Sequence, residues 1–211
     1  FGITADSLRP VVFEKIRHKI HVENHGHIST GVIGSQWLMR GLTEFGYADL
    51  AYILAGNSSY PSWGYMVKNN ATTIWELWNG DTANPEMNSQ NHVMLLGDLI
   101  TWIYENLGGI RSDKTGVGFK KIIMKPSVPA GLDYVNASYN SMHGLIGSYW
   151  KNNSSSFEWT ISIPANSSAT VYVPALSAEE ITCDGKPLSA TPEIKWLKTE
   201  KGAVVLEIAS G

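Results

Sequence analysis

Close to Gly108-Gly109 the spacing of apolar residues switches from a helical period to a period of two, and that switch divides the chain into two kinds of fold. Upstream, Leu8, Val12, Ile16 and Ile20 recur every four residues, with Glu14, Lys15, Arg17 and Lys19 largely on other faces. Pro10 suits the first turn of that helix, where its missing N–H does no harm. A second helix is predicted from Val32 to about Phe45 with a stop at Gly46, and a third from Tyr47 to Leu54 with a stop at Gly56-Asn57. Val93, Leu96, Ile100, Ile103 and Leu107 predict a further helix with one apolar face, ended by Leu107-Gly-Gly.

Downstream, residues 111–118 read as a polar, glycine-bearing linker. Beyond it Phe157, Trp159, Ile161 and Ile163 alternate with Glu158, Thr160 and Ser162, and Ala169, Val171 and Val173 do the same before Pro174. Val204, Leu206 and Ile208 form a last alternating run. Cys183-Asp-Gly-Lys186 predicts a tight hairpin, because Asp-Gly tolerates the positive φ of such turns. Short strands separated by turns point to an antiparallel β-sandwich.

Composition bounds what such a chain does. With 211 residues, 43% of them hydrophobic, 17% charged and a net charge of −3, it carries no basic footprint for nucleic acid. No window of about 18 apolar residues is present to span a membrane. Cys183 is the single cysteine, which rules out an intrachain disulfide or a multi-cysteine metal site. Phe1 rather than Met opens the sequence, and the expectation is a piece of something longer.

Between the helices, residues 57–92 are dense in Gly, Asn and aromatic side chains. A structureless loop of that length is expected to line something. Glu76 lies there between Trp75 and Trp78, in Ala71-Thr-Thr-Ile-Trp-Glu-Leu-Trp-Asn-Gly80. A carboxylate among indoles suits a sugar site: flat apolar faces stack on the C–H face of a pyranose while polar groups read its hydroxyls. The alternative is that Trp75 and Trp78 anchor a core and Glu76 is a solvated charge. His18, His21, His25 and His27 are too loosely grouped for a metal site, and no metal ligand set is assigned. Glu14, Glu23, Asp49 and Asp98 are expected on solvated helix faces.

Three blocks of this stretch, Tyr60-Pro-Ser-Trp-Gly-Tyr-Met66, Ala71-Thr-Thr-Ile-Trp-Glu76 with Trp78, and Met87-Asn-Ser with Asn91-His92, resemble the bacterial α-L-rhamnosidases of glycoside hydrolase family 78. Gly26-His-Ile-Ser-Thr-Gly-Val-Ile-Gly34 and Asp49-Leu-Ala-Tyr52 are similar to the same family's barrel. Gly144-Leu-Ile-Gly-Ser-Tyr-Trp150 and the run from Ile163 to Pro174 resemble the β-sandwich that follows it. The resemblance implies that residues 1–110 are the closing helices of an (α/α)6 six-hairpin barrel and residues 111–211 an antiparallel β-sandwich domain. It implies an inverting enzyme that releases terminal rhamnose from oligosaccharides or other glycosides, without a cofactor; it does not fix the compartment, for which a periplasmic or secreted setting is placed slightly ahead of a cytoplasmic one.

Under the same resemblance Glu76 is the general base that deprotonates the attacking water, His92 contacts the sugar, and Trp63 and Trp78 wall the pocket. The family's general acid belongs to an acidic cluster in the earlier half of the barrel, which has no counterpart in these residues. Another (α/α)6-barrel glycosidase and a non-catalytic carbohydrate-binding module stay open as alternatives. Thr72 and Thr73 are candidate hydrogen-bond donors to Glu76, and His92 on its own reads first as part of a helix start, an order that its family-matched spacing from Glu76 reverses.

Overall fold

The computed structural model describes residues 4–92, 97–153, 155–200 and 202–211. The chain divides into two compact units, Phe1–Trp102 and Ile103–Gly211, the first helical and the second built of β-sheet.

In the helical unit, a 3₁₀ turn at Asp6–Leu8 leads into α1 (Arg9–His18), which continues as a π-helical turn over Lys19–Glu23. Pro10 sits in the first turn of α1, as predicted. Of the apolar positions spaced along this run only Ile20 is buried; Leu8 and Val12 stay exposed. Helix α2 (Val32–Glu44) ends at Phe45, where Gly46 takes a φ of +86°, and α3 (Ala48–Gly56) follows at once. Met39 and Leu42 of α2 and Leu50, Ala51 and Leu54 of α3 are buried, so each helix turns one apolar stripe inward. The described helices do not close into a barrel.

The long aromatic stretch is not structureless. It contains α4 (Trp63–Lys68), started by Ser62, whose Oγ accepts the Tyr65 N–H at 2.9 Å. The last helix also departs from expectation. Val93 and Leu96 lie outside the described residues, and α5 (Asp98–Trp102) passes into a π-helical turn at Ile103–Leu107. Ile100 is 55% exposed, and Trp102, 0% exposed, takes the interior place. Its indole N–H donates to Thr43 Oγ1 at 2.8 Å, so this large aromatic is buried with its one polar group paired. Asp98 is likewise not on a solvated face: its carboxylate takes a forked pair of hydrogen bonds from Arg40 of α2, at 2.6 and 3.1 Å.

In the β unit, the expected linker carries a strand. Strand β1 (Ile110–Ser112) pairs antiparallel with β2 (Lys121–Met124). Then come β3 (Tyr134–Ser141), β4 (Gly144–Asn153), β5 (Ser156–Ser162) and β6 (Ser168–Val173). A small hairpin of β7 (Thr182–Cys183) and β8 (Lys186–Pro187) turns through Asp184 and Gly185, at φ of 49° and 75°. Both central residues are left-handed, as a two-residue primed turn requires. Strands β9 (Ile194–Glu200) and β10 (Ala203–Ala209) complete the unit.

The strands form a five-stranded sheet in the order β1-β2-β6-β10-β9 and a three-stranded sheet, β3-β4-β5. One pairing breaks the all-antiparallel expectation: β2 runs parallel to β6. Parallel neighbours need a long crossover, and here it is supplied by β3, β4 and β5, which occupy the other sheet. Ile122, Met124, Ala169, Val171, Val204 and Leu206 of the larger sheet share one buried cluster with Ile146 of the smaller, so the two sheets enclose a common core.

Trp150 of β4 is fully buried, opposite Trp159 of β5, and donates its indole hydrogen to the Leu107 carbonyl at 2.8 Å. Phenylalanine at this position would leave that carbonyl unpaired in the interior. Trp150→Phe is expected to lower stability by about 1–3 kcal/mol in urea unfolding, against about 0.5 kcal/mol or less for the exposed Trp196→Phe.

Candidate active site

Residues 71–92 fold back on themselves through main-chain bonds. The Glu76 N–H donates to Ser89 O at 2.9 Å and the His92 N–H to Ile74 O at 2.7 Å. These two bonds lay the Glu76 strip beside the Ser89-to-His92 strip, so the two blocks singled out in the sequence are neighbours. Side chains tighten the seam. Leu77 N–H donates to Asn88 Oδ1 at 3.3 Å, and the Asn88 and Gln90 amides both donate to Gly80 O, at 3.2 and 3.0 Å.

Two indoles fix the strip from beneath. Trp75 is 4% exposed, and Gly80 lies so close that an added Cβ would stand 2.7 Å from Trp75 Cγ. Trp75 is therefore a core anchor, as the blander reading of the sequence had it. Trp78 is half-buried; its Nε1 donates to Thr30 O at 2.8 Å, and its ring meets Trp63 edge to face with centroids 5.0 Å apart. Trp63 is 5% exposed, so it backs Trp78. The segment from Gly26 to Gly34 thus acts locally, because its Thr30 carbonyl sets the angle of Trp78. That segment is itself tied down, by Asn57 Nδ2 to Gly26 O at 3.1 Å and by His27 Nε2 with Ser59 Oγ at 2.8 Å.

Glu76 is half-buried at the surface of this frame. Its Oε2 accepts the Ser89 N–H at 3.0 Å, while Oε1 takes no hydrogen bond from the described residues. The expected donors are elsewhere: Thr73 is exposed and its hydroxyl donates to Gln90 O, so the amide of Ser89 holds the carboxylate. A carboxylate anchored at one oxygen with the other open can accept a proton from a positioned water. His92, whose N–H meets Ile74 O, is half-buried in an irregular segment. Tyr65 of α4 donates its hydroxyl to Asp81 at 3.0 Å, and that bond raises the phenol above its ordinary pKa. Among the described residues no group of three or more His, Cys, Asp or Glu could hold a metal ion.

Sequence reasoning passed over Ser89, Asn88 and Gln90 as working residues. Their density of side-chain amides and hydroxyls within Met87-Asn-Ser-Gln-Asn91 was the available signal, since such groups replace regular ladders in long loops.

Comparison with known proteins follows the same division. Residues 1–107 match the bacterial alpha-L-rhamnosidase 6 hairpin glycosidase domain, and residues 109–186 the bacterial alpha-L-rhamnosidase C-terminal domain. An alpha-L-rhamnosidase of Streptomyces avermitilis is 30% identical over 215 aligned residues, covering 100% of this chain and 20% of the relative. One from Formosa agariphila is 33% identical over 95% of the chain and 22% of its own length. Among solved structures, the Streptomyces avermitilis alpha-L-rhamnosidase complexed with L-rhamnose superposes with a TM-score of 0.83 at 29% identity, over 99% of this chain and 20% of that one. An alpha-L-rhamnosidase from Dictyoglomus thermophilum gives 0.78 at 28% identity, over 94% and 22%. The chain spans about a fifth of the length of these relatives.

The closeness of Gly80 to Trp75 makes a sharp test of the frame. Gly80→Ala drives a methyl into the indole and is expected to cost about 1–3 kcal/mol, read as a lowered urea midpoint.

Proposed function

The chain belongs to the bacterial α-L-rhamnosidases, matching their six-hairpin and C-terminal domains, and from that premise we propose that it works as part of an inverting glycosidase that removes terminal α-L-rhamnose from glycosides. Residues 1–110 are assigned to the closing helices of the (α/α)6 barrel and residues 111–211 to the β-sandwich domain that follows. The observation that carries the reading is Glu76, held at one oxygen by Ser89 N–H and flanked in the chain by Trp75 and Trp78.

In this reading Glu76 is the general base. An inverting site places its two carboxyl groups about 6.5–9.5 Å apart, so that a water fits between the base and the anomeric carbon. Glu76 takes a proton from that water through Oε1 as the water attacks from the face opposite the leaving group. A general acid, assigned to the barrel beyond these residues, protonates the departing oxygen. Because the Ser89 bond fixes Oε2, the carboxylate needs little reorganisation when the water presses on it. Trp78 offers an indole face to the apolar side of the sugar, Trp63 completes that wall from behind, and His92 hydrogen-bonds a sugar hydroxyl. The exchange of the attacking water for the leaving group gives a β-configured rhamnose.

Glu76→Gln in the whole protein keeps an oxygen for the Ser89 N–H but cannot accept the water's proton. It is expected to lower kcat about 10²–10⁴-fold with little change in rhamnose affinity. Azide is expected to restore part of the turnover and to yield the β-azide from an α-rhamnoside. Near-normal kcat in this variant would assign Glu76 a purely structural role.

The 211-residue chain by itself is expected to hydrolyse no aryl rhamnoside, since it supplies a base without the acid. Turnover by the purified chain would overturn the division of roles.

A further inference from the structure

The β unit has a concavity of about 370 Å³ that plays no part in the chemistry proposed for Glu76. Volumes of about 300–1,000 Å³ are usual for small-ligand sites. It opens beside β9, the outermost strand of the five-stranded sheet, and is bounded on the other side by the segment that follows the β7-β8 hairpin. Trp196 of β9 stands on its wall and is 53% exposed. Among the described residues no ring stacks on this indole and nothing accepts its Nε1 hydrogen. Trp196 is not an isolated apolar side chain on the surface: it shares the hollow with Leu188, Pro192 and Ile194 at the sheet's edge.

The rest of the lining says what kind of molecule fits. Leu188 and Pro192 supply an apolar floor and side, while Glu179, Ser189 and Thr191 supply oxygen atoms around them. The Thr191 hydroxyl hydrogen goes to the Pro187 carbonyl at 3.2 Å, which leaves its oxygen as an acceptor at the hollow's wall. The Glu179 carboxylate is held by its own N–H and by the Ser177 hydroxyl, and both bonds keep it ionised by lowering its pKa. A flat indole, a carboxylate that accepts hydroxyl hydrogens and two further hydroxyls suit a ligand with one apolar face and a rim of O–H donors. A fatty chain has no use for the oxygens, and an anion is repelled by Glu179.

We propose that the concavity at Trp196 is a non-catalytic carbohydrate-binding site, in which the indole stacks on a pyranose ring and Glu179 accepts a hydrogen from its hydroxyls. The glycosidase reading enters only in choosing a rhamnose-bearing probe. Such a site holds a large substrate near the enzyme without touching the bond that is cut, so its loss shows in polysaccharide binding and leaves small substrates alone.

The test uses the whole protein in affinity electrophoresis through gels containing gum arabic, a polysaccharide with terminal rhamnose, alongside kcat/KM on an aryl rhamnoside. Wild type is expected to be retarded. Trp196→Ala and Glu179→Gln are each expected to weaken that retardation about 3-fold or more, Trp196→Tyr to keep most of it, and all three to leave aryl-rhamnoside turnover within about twofold. Migration of both Trp196→Ala and Glu179→Gln as wild type overturns the proposal, as does the absence of any retardation of wild type. A parallel fall in aryl-rhamnoside turnover overturns it too, because Trp196 would then act through the fold. Glu76→Gln leaves Trp196 in place, so a failure of the general-base assignment appears in turnover and not in retardation.

Discussion

A loop as long as residues 57–92 keeps one shape only if its main-chain N–H and C=O groups find partners without a sheet or long helix to provide them. Here the partners are local, and side chains supply many of them beside the main-chain bonds of Glu76 with Ser89 and His92 with Ile74. Asn88 and Gln90 converge on Gly80 O, Ser62 caps the one short helix, and Ser89 reaches Glu76 through both its carbonyl and its N–H. The carboxylate proposed to take part in chemistry is therefore also a member of the network that gives the loop its form. Its two oxygens differ: Oε2 satisfies the Ser89 N–H, and Oε1 takes no hydrogen bond from the described residues.

Apolar packing supplies what those bonds need beneath them. Trp75 fills the interior against Gly80, and Trp63 meets Trp78 at a right angle, so the loop rests on indoles that cannot slide past one another. In the same unit the forked Arg40–Asp98 pair joins α2 to α5 and Trp102 joins them again through Thr43. The β unit solves the equivalent problem with Trp150 and Trp159, each of whose indole hydrogens has a buried oxygen to meet.

The parts of this fold that are local in the chain were legible in it. Gly46 and Gly56-Asn57 mark the ends of α2 and α3, the alternation around Phe157, Val171 and Leu206 gives β5, β6 and β10, and Asp184-Gly185 gives the hairpin. What escaped depends on partners far away. Asp98 looks solvated until Arg40, 58 residues earlier, closes on it. Ile100 fits an apolar stripe by spacing, but the larger Trp102 wins the interior because Thr43 can take its hydrogen. The helix α4 is too short to announce itself by period, and β1 hides in a polar stretch because an edge strand needs few apolar residues. At the candidate site, the aromatic and acidic residues were plain in the sequence. Their holding bonds were not, since nothing in the sequence pairs Glu76 with Ser89.

The parallel pairing of β2 with β6 has a consequence for how the β unit comes into being. Strand β2 is complete at Met124, but its neighbour begins at Ser168, and three strands destined for the other sheet are made in between. At synthesis rates of about 5–20 residues per second, the hairpin of β1 and β2 waits on the order of seconds with one edge bare. Ile122 and Met124, both buried in the finished sheet, spend that interval with nothing lasting to cover them. The β3-β4-β5 meander, whose pairings are all between successive strands, can form first and offer its Ile146 face as a temporary cover. A nascent chain stalled before Ser168 would therefore hold a finished small sheet and an orphaned hairpin, with an open strand edge ready to pair with the next chain along.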